Sequence, residues 1–260
     1  MSKKIAISIE DSSVKIVYAI LKGGVVDLTD FITISTTELE DFLREEKERN
    51  FLLNIHFNEL VQDTFYLPPT SDRDIKKLIL KELQMQNPDI KEWLFYYSIV
   101  GERVEEGKRL LNVSVFAVPE ASVNERLRLF LSYGKIVDSL IPNYLPLLNL
   151  IPNIDIPALY LYKKGADRII MLLIEGSIYL MRKLTGDPSE LNDSDIQDLN
   201  MTVNYSKQRL GIDPEYIYLI GQQKLSDTLV TLPVRPVSSL LNPNIKISSS
   251  LNKEDLNEYI

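Results

Sequence analysis

One histidine, no cysteine and 37 acidic side chains bound the chemistry open to this 260-residue chain. Without cysteine there is no thiolate nucleophile, no disulfide and no sulfur-ligated metal. A Ser–His–Asp arrangement would have to recruit His56, which sits in an apolar run beside Phe57 and reads as a structural or surface residue. A catalytic zinc site lacks its usual ligands when only one histidine is present. One carboxylate cluster, Asp193, Asp195 and Asp198, stands at the start of a helical pattern, where the helix dipole accounts for it. A Mg²⁺ site built from carboxylates stays open on composition alone. Gly-x-Gly-x-x-Gly and Walker-type phosphate loops do not occur.

A formal net charge of −8 argues against nucleic acid as a partner, because phosphate neutralisation needs basic patches. The cations are interspersed with acids, as in Arg44-Glu45-Glu46-Lys47-Glu48-Arg49, the pattern of a solvated helix face. No apolar run approaches the length of a membrane span. Ser8, Glu10 and Asp11 interrupt the apolar stretch after Lys3-Lys4 before a signal-peptide core can form. A cytoplasmic location is the resulting expectation.

The elements that would position any site fall into a repeated order. Alternating apolar residues predict strands over 4–10, 14–21 and 25–34, turning at Asp11-Ser12-Ser13 and Gly23-Gly24. Thr36 or Thr37 caps a helix to about Glu48, and 51–56 reads as a buried strand. The same order returns as strands 157–162, 168–174 and 177–184, the last two joined by a Glu175-Gly176 hairpin turn. A helix capped by Asn192 or Asp193 then runs to Leu210, is ended by Gly211, and precedes a strand over 215–220. Two similar lobes follow from that repetition.

Between the copies lies a segment of different character. After Leu67-Pro68-Pro69, Ser71 caps a helix with Ile75, Leu78, Ile79 and Leu83 on one face. Strands over 93–101 and 109–118 pair across a polar turn at Glu102 to Lys108, and Pro119 opens a helix with Val123, Leu127, Phe130 and Leu131 inward. A further strand over 135–140 returns the chain. The division is then residues 1–66 with 135–155 as lobe one, 67–134 as an insert, and 156–260 as lobe two. Trp93 to Tyr97 divides between core and surface. Exposed aromatics and a sheet edge there offer a surface for a partner peptide.

The run Ile7-Ser8-Ile9-Glu10-Asp11-Ser12-Ser13-Val14-Lys15-Ile16-Val17 resembles the first phosphate loop of the PilM-like proteins, pilus-assembly members of the actin-like superfamily. The similarity continues through Tyr66-Leu67-Pro68, Val115-Phe116-Ala117-Val118-Pro119, Gly134 and Ile174-Glu175-Gly176-Ser177. The resemblance implies an α/β, duplicated, actin-like (RNase H-like) two-lobed fold, with an FtsA-like α+β subdomain inserted in lobe one. The family also includes the cytoplasmic domain of the type II secretion protein GspL. It implies a short cytoplasmic peptide of a bitopic membrane protein and a hexameric assembly ATPase as partners, at the bacterial inner membrane, with homodimerisation left open. The peptide would lie near Leu67, Pro68, Ile75, Leu78 and Ile79. Family members continue beyond the point matching Ile260, so a continuation, even into a membrane span as in GspL, is compatible with the resemblance.

In that fold, two loops meet a nucleotide through backbone N–H groups, glycine leaves room for phosphate, and an acid helps hold Mg²⁺. Here Ser8 stands in place of the acid and Glu10 in place of the glycine, leaving Ser12, Ser13 and Lys15 as a vestigial phosphate loop. The second loop reads Leu161-Tyr162-Lys163-Lys164, and the adenosine-side loop Ile220-Gly221-Gln222-Gln223 has one glycine. The expectation is a protein-binding scaffold without cofactor. The alternative is a working ATPase with Mg²⁺ and ATP, in which Lys15, Lys163 and Lys164 still attract phosphate. A kinase-like enzyme is disfavoured because no catalytic acid can be named.

Overall fold

The computed structural model describes residues 2–10, 12–142, 144–146, 155–164, 167–184, 193–220, 230–237 and 245–247. Strands β1 (Ser2–Ile9), β2 (Ser13–Lys22) and β3 (Val25–Ser35) form an antiparallel meander. Alternation places Ile5, Ile7, Val14 and Ile16 on one buried face. The next strand, β4 (Asn50–Ile55), pairs parallel to β1 and so needs a crossover. A 3₁₀ turn (Thr36–Glu38) and helix α1 (Leu39–Glu45) supply it, opened by a Ser35/Glu38 capping box. Leu39 and Leu43 seal α1 to the sheet.

The insert holds β5 (Val61–Leu67), α2 (Asp72–Gln86), β6 (Trp93–Glu105) and β7 (Lys108–Pro119), in the antiparallel order β5-β7-β6. Ser71 caps α2 by accepting from the Asp74 amide at 3.3 Å. Ile75, Ile79 and Leu83, spaced i, i+4, i+8, are buried against Phe65, Leu111, Val113 and Val115. Burying each such side chain contributes roughly 1.5–3 kcal/mol.

Several details differ from the sequence reading, beginning with the first helix, which is capped by Ser35 and not by Thr36 or Thr37 and ends at Glu45. The insert's sheet begins at Val61, since β5 pairs with β7 from Val61↔Ala117 to Leu67↔Leu111, whereas residues up to 66 read as lobe one. The β6–β7 ladder runs on to Glu105↔Lys108, so the expected polar turn is mostly strand and the reversal is Glu106-Gly107, both at positive φ. Helix α3 (Glu120–Ser132), read as part of the insert, packs on lobe one, with Phe130 edge-on to Phe51 at 6.1 Å. Leu131, expected inward, is 64% exposed because the core contact falls to its neighbour Phe130.

After α3, β8 (Ile136–Pro142) joins β4 in parallel. Lobe two then repeats the plan: a meander of β9 (Ala158–Lys164), β10 (Asp167–Ile174) and β11 (Ser177–Lys183), followed by helix α4 (Asp193–Tyr205), which runs into a π-helical turn (Ser206–Leu210). Gly211, at φ 69°, takes the left-handed conformation that ends it. β12 (Tyr216–Ile220) lies parallel on β9 and β13 (Val234–Pro236) parallel on β12. The strand order β3-β2-β1-β4-β8 in lobe one is therefore matched by β11-β10-β9-β12-β13 in lobe two. A last strand, β14 (Ile245–Ile247), crosses back to pair with β3.

The lobe-two sheet is buried on both faces. Leu199 and Val203 of α4 cover Leu159, Leu161, Ile170, Leu172 and Ile217. The opposite face gathers Tyr160, Met171 and Tyr218 with Phe116 of the insert and Tyr144. Phe116 thus ties β7 to lobe two, while Val118, two residues on, packs into lobe one. Asp193 and Asp195 stand in the first turn of α4, where the helix-dipole reading expects acids. The fully buried Asp195 carboxylate also pairs with the fully buried Arg168 guanidinium of β10, a countercharge the sequence reading did not name. Asp198 pairs with Arg182 at 3.2 Å.

Candidate functional site

The β1–β2 turn is where the sequence places a phosphate loop. Pairing ends at Ile9↔Val14, and the Glu10 amide closes the turn on the Ser13 carbonyl at 2.9 Å. The Glu10 carboxylate folds back over this turn. Its Oε1 lies 3.1 Å from Lys15 Nζ, and its Oε2 accepts from Ser13 Oγ at 3.5 Å. The Ser12 carbonyl accepts from the Thr36 amide at 3.4 Å, tying the turn to the start of the 3₁₀ turn. The three residues expected to greet a phosphate are together. Two of them, Ser13 and Lys15, engage an internal carboxylate at the position where the resembled phosphate loop has glycine.

Ser8, which replaces the expected acid, serves the sheet. It donates to Asn54 Oδ1 at 3.0 Å, and Asn54 Nδ2 donates to the Ile141 carbonyl at 2.7 Å, so a polar chain links β1, β4 and β8. At the equivalent end of lobe two, Tyr162 is buried with its ring 6.0 Å from that of Tyr144. An aromatic contact fills the position at which the resemblance asks for a small or acidic residue. The side chains of Lys163 and Lys164, and residues 221–223 of the third loop, lie outside the described residues.

Leu67, Ile75 and Ile79, expected in a partner groove, are core residues between α2 and its own sheet. Leu78 is half-buried and Pro68 exposed. The apolar stripe that reads as a binding face is the one that seals α2 to β5 and β7. His56 lies just past β4, with Nε2 3.2 Å from Asn58 Oδ1, in keeping with a structural or surface role. In the aromatic run, Trp93 is buried and Phe95 and Tyr97 pack toward α2, while Leu94 and Tyr96 face outward.

The sequence reading missed a cavity of 280 Å³ between the insert and lobe two. Its walls come from β5, β6, β7, β11 and the end of α4, so no local motif announces it. Among the described residues, no cluster of three or more His, Asp or Glu forms a metal-binding group. No helix among them is long and apolar enough to cross a membrane.

No protein-family model matches the sequence, and no curated protein matches it. Solved structures do match in fold. A chain of a PilM–PilN type IV pilus biogenesis complex aligns with a TM-score of 0.72 at 15% identity, over 100% of this chain and 94% of that one. The cytoplasmic domain of EpsL, an inner-membrane component of the type II secretion system of Vibrio cholerae, gives 0.55 at 12% identity, over 90% of each chain. A Bacteroides thetaiotaomicron protein with an actin-like ATPase fold gives 0.50 at 11% identity, over 93% of each chain. At such identities the likeness is one of fold, and the chain carries the actin-like α/β architecture of these structures.

Proposed function

We propose that the chain is a non-catalytic scaffold of a type IV pilus or type II secretion assembly platform at the bacterial inner membrane. In this role it binds the short cytoplasmic peptide of a bitopic membrane protein and links it to a hexameric assembly ATPase. The insert corresponds to the FtsA-like subdomain of that architecture. The observation that carries the non-catalytic part is the Glu10 carboxylate engaged with Lys15 and Ser13 in the first phosphate loop. A nucleotide phosphate there would have to displace one anion and then sit beside it, a like-charge contact that disfavours binding. The fold likeness to a chain of the PilM–PilN complex and to the EpsL domain supports the scaffold part.

The test is a peptide array carrying the cytoplasmic segments of the bitopic pilus and secretion proteins of the same cell, probed with the full chain beside an ATP turnover assay. Saturable binding to one segment with no turnover is expected. Turnover above the buffer rate would defeat the reading.

A further inference from the structure

The cavity between the insert and lobe two is bounded by strand edges. Gln62, Asp63 and Thr64 line it from β5, and Tyr179, Leu180 and Met181 from β11. Successive strand side chains point to opposite faces, so a wall made of three consecutive residues is an edge. Among the described residues both strands are the last in their sheets, β5 beside β7 and β11 beside β10. The Thr64 amide donates to Asp63 Oδ1 at 2.7 Å, which marks it as one of the outward amides of β5. In an antiparallel ladder outward groups recur at every second residue, so Gln62, Thr64 and Tyr66 turn theirs toward the cavity. The second Asp63 oxygen accepts from Gln86 Nε2 at 2.9 Å, holding this carboxylate over the edge.

Three departures from regular structure meet at the same place. Val100 is the extra residue of a bulge in β6, between Ile99↔Val113 and Gly101↔Asn112. Tyr179 is the extra residue of a bulge in β11, between Leu172↔Leu180 and Leu173↔Ile178. Tyr205 and Leu210 flank and end the π-helical turn. All four line the cavity. Bulges and π-turns disrupt the regular ladder and recur where a chain is shaped around a ligand. Asn112 Oδ1, on the same lining, is buried without a hydrogen-bond partner among the described residues.

We propose that this cavity receives an extended segment of a partner protein, which adds as a β-strand along β5 and reaches toward β11. A polypeptide backbone supplies the alternating donors and acceptors that the β5 edge, unpaired among the described residues, requires. An amide N–H of that backbone satisfies Asn112 Oδ1, and its carbonyl displaces Asp63 from the Thr64 amide. Tyr66, Tyr179 and Tyr205 favour an apolar or aromatic side chain at the centre. Asp63 is the one charged side chain on the lining among the described residues, so an acidic side chain buried there would meet a like charge and no cation. The proposal rests on the scaffold reading only in taking a protein as partner.

The experiment pans the full chain against a displayed library of random peptides. Selected peptides are then titrated by fluorescence anisotropy, and hydrogen exchange is read on each complex. Saturable binding is expected, with slowed exchange at Gln62, Thr64, Tyr66 and 179–181. Thr64→Pro weakens it at least about tenfold, and an outward amide on an edge strand is a position where proline is tolerated. Tyr179→Ser, on the opposite wall, gives the same loss without touching β5, and Asp63→Ala tightens binding by freeing the Thr64 amide. Binding that both variants leave unchanged, with protection elsewhere, overturns this site and leaves the scaffold reading standing. Selection of no peptide overturns the proposal, as does a dimer of this chain that Thr64→Pro dissociates. ATP turnover in the same preparation counts against the scaffold reading and not against the groove.

Discussion

Lys15 Nζ lies 3.1 Å from Glu10 Oε1 across the β1–β2 turn, with both side chains largely covered. A partly covered pair is screened less than one in open water. The cation that could have drawn a phosphate is neutralised before any ligand arrives. Glu10→Gly removes the competing anion and introduces the glycine found in the phosphate loop that this turn resembles. Nucleotide affinity is expected to rise at least about tenfold over the parent, about 1.4 kcal/mol, read by calorimetry with Mg²⁺. An unchanged isotherm would place the block elsewhere, with Tyr162 the next residue to change.

The Arg168–Asp195 pair is wholly buried, so losing one member leaves a buried charge without this countercharge. Asp195→Leu is expected to lower stability by roughly 3–5 kcal/mol in urea denaturation. The double variant Arg168→Met with Asp195→Leu should recover part of the loss, because neither charge of the pair is then buried without the other.

Ile75 and Ile79 act on stability before they act on any partner. Ile79→Ala is expected to cost about 2–5 kcal/mol, whereas Met85→Ala, on the 60% exposed side of α2, should stay within about 0.5 kcal/mol. Equal effects of the two on the thermal midpoint would contradict the packing assigned to α2.

Alkaline pH should weaken the fold through Tyr160. Burial first, and the nearby Tyr218 second, push its phenol well above the ordinary tyrosine value of 10.0. Above about pH 10 the unfolded chain releases this proton while the folded chain retains it, so stability is present below that value and falls as pH rises. Tyr160→Phe should flatten the dependence of the urea midpoint across that range. A parent with no such dependence would argue against a buried, neutral Tyr160.

Much of the scaffold is legible in the sequence because it is local. Alternation at Ile5, Ile7, Val14 and Ile16, the Ser71 cap and Gly211 each mark an element within a few residues of its observed end. Non-local matters are not legible. β5 escapes assignment to the insert because Gln62, Asp63 and Thr64 lie on a half-buried edge and show no alternation. Asp195 finds Arg168 only after 27 residues of chain fold back. The stripe on α2 is visible from its spacing, but whether it meets its own sheet or a partner is a tertiary matter. The Glu10–Lys15 pair was partly legible: the wrong residue for a phosphate loop is plain, and its contact with Lys15 is not. The cavity draws on segments from Gln62 to Leu210, beyond the reach of any pattern.

Titration of ATP with Mg²⁺ into the full chain, at concentrations able to detect millimolar affinity, tests the closed phosphate loop most directly. No saturable heat is expected from the parent chain. A one-to-one saturable isotherm would contradict it and bring forward a working, nucleotide-gated ATPase.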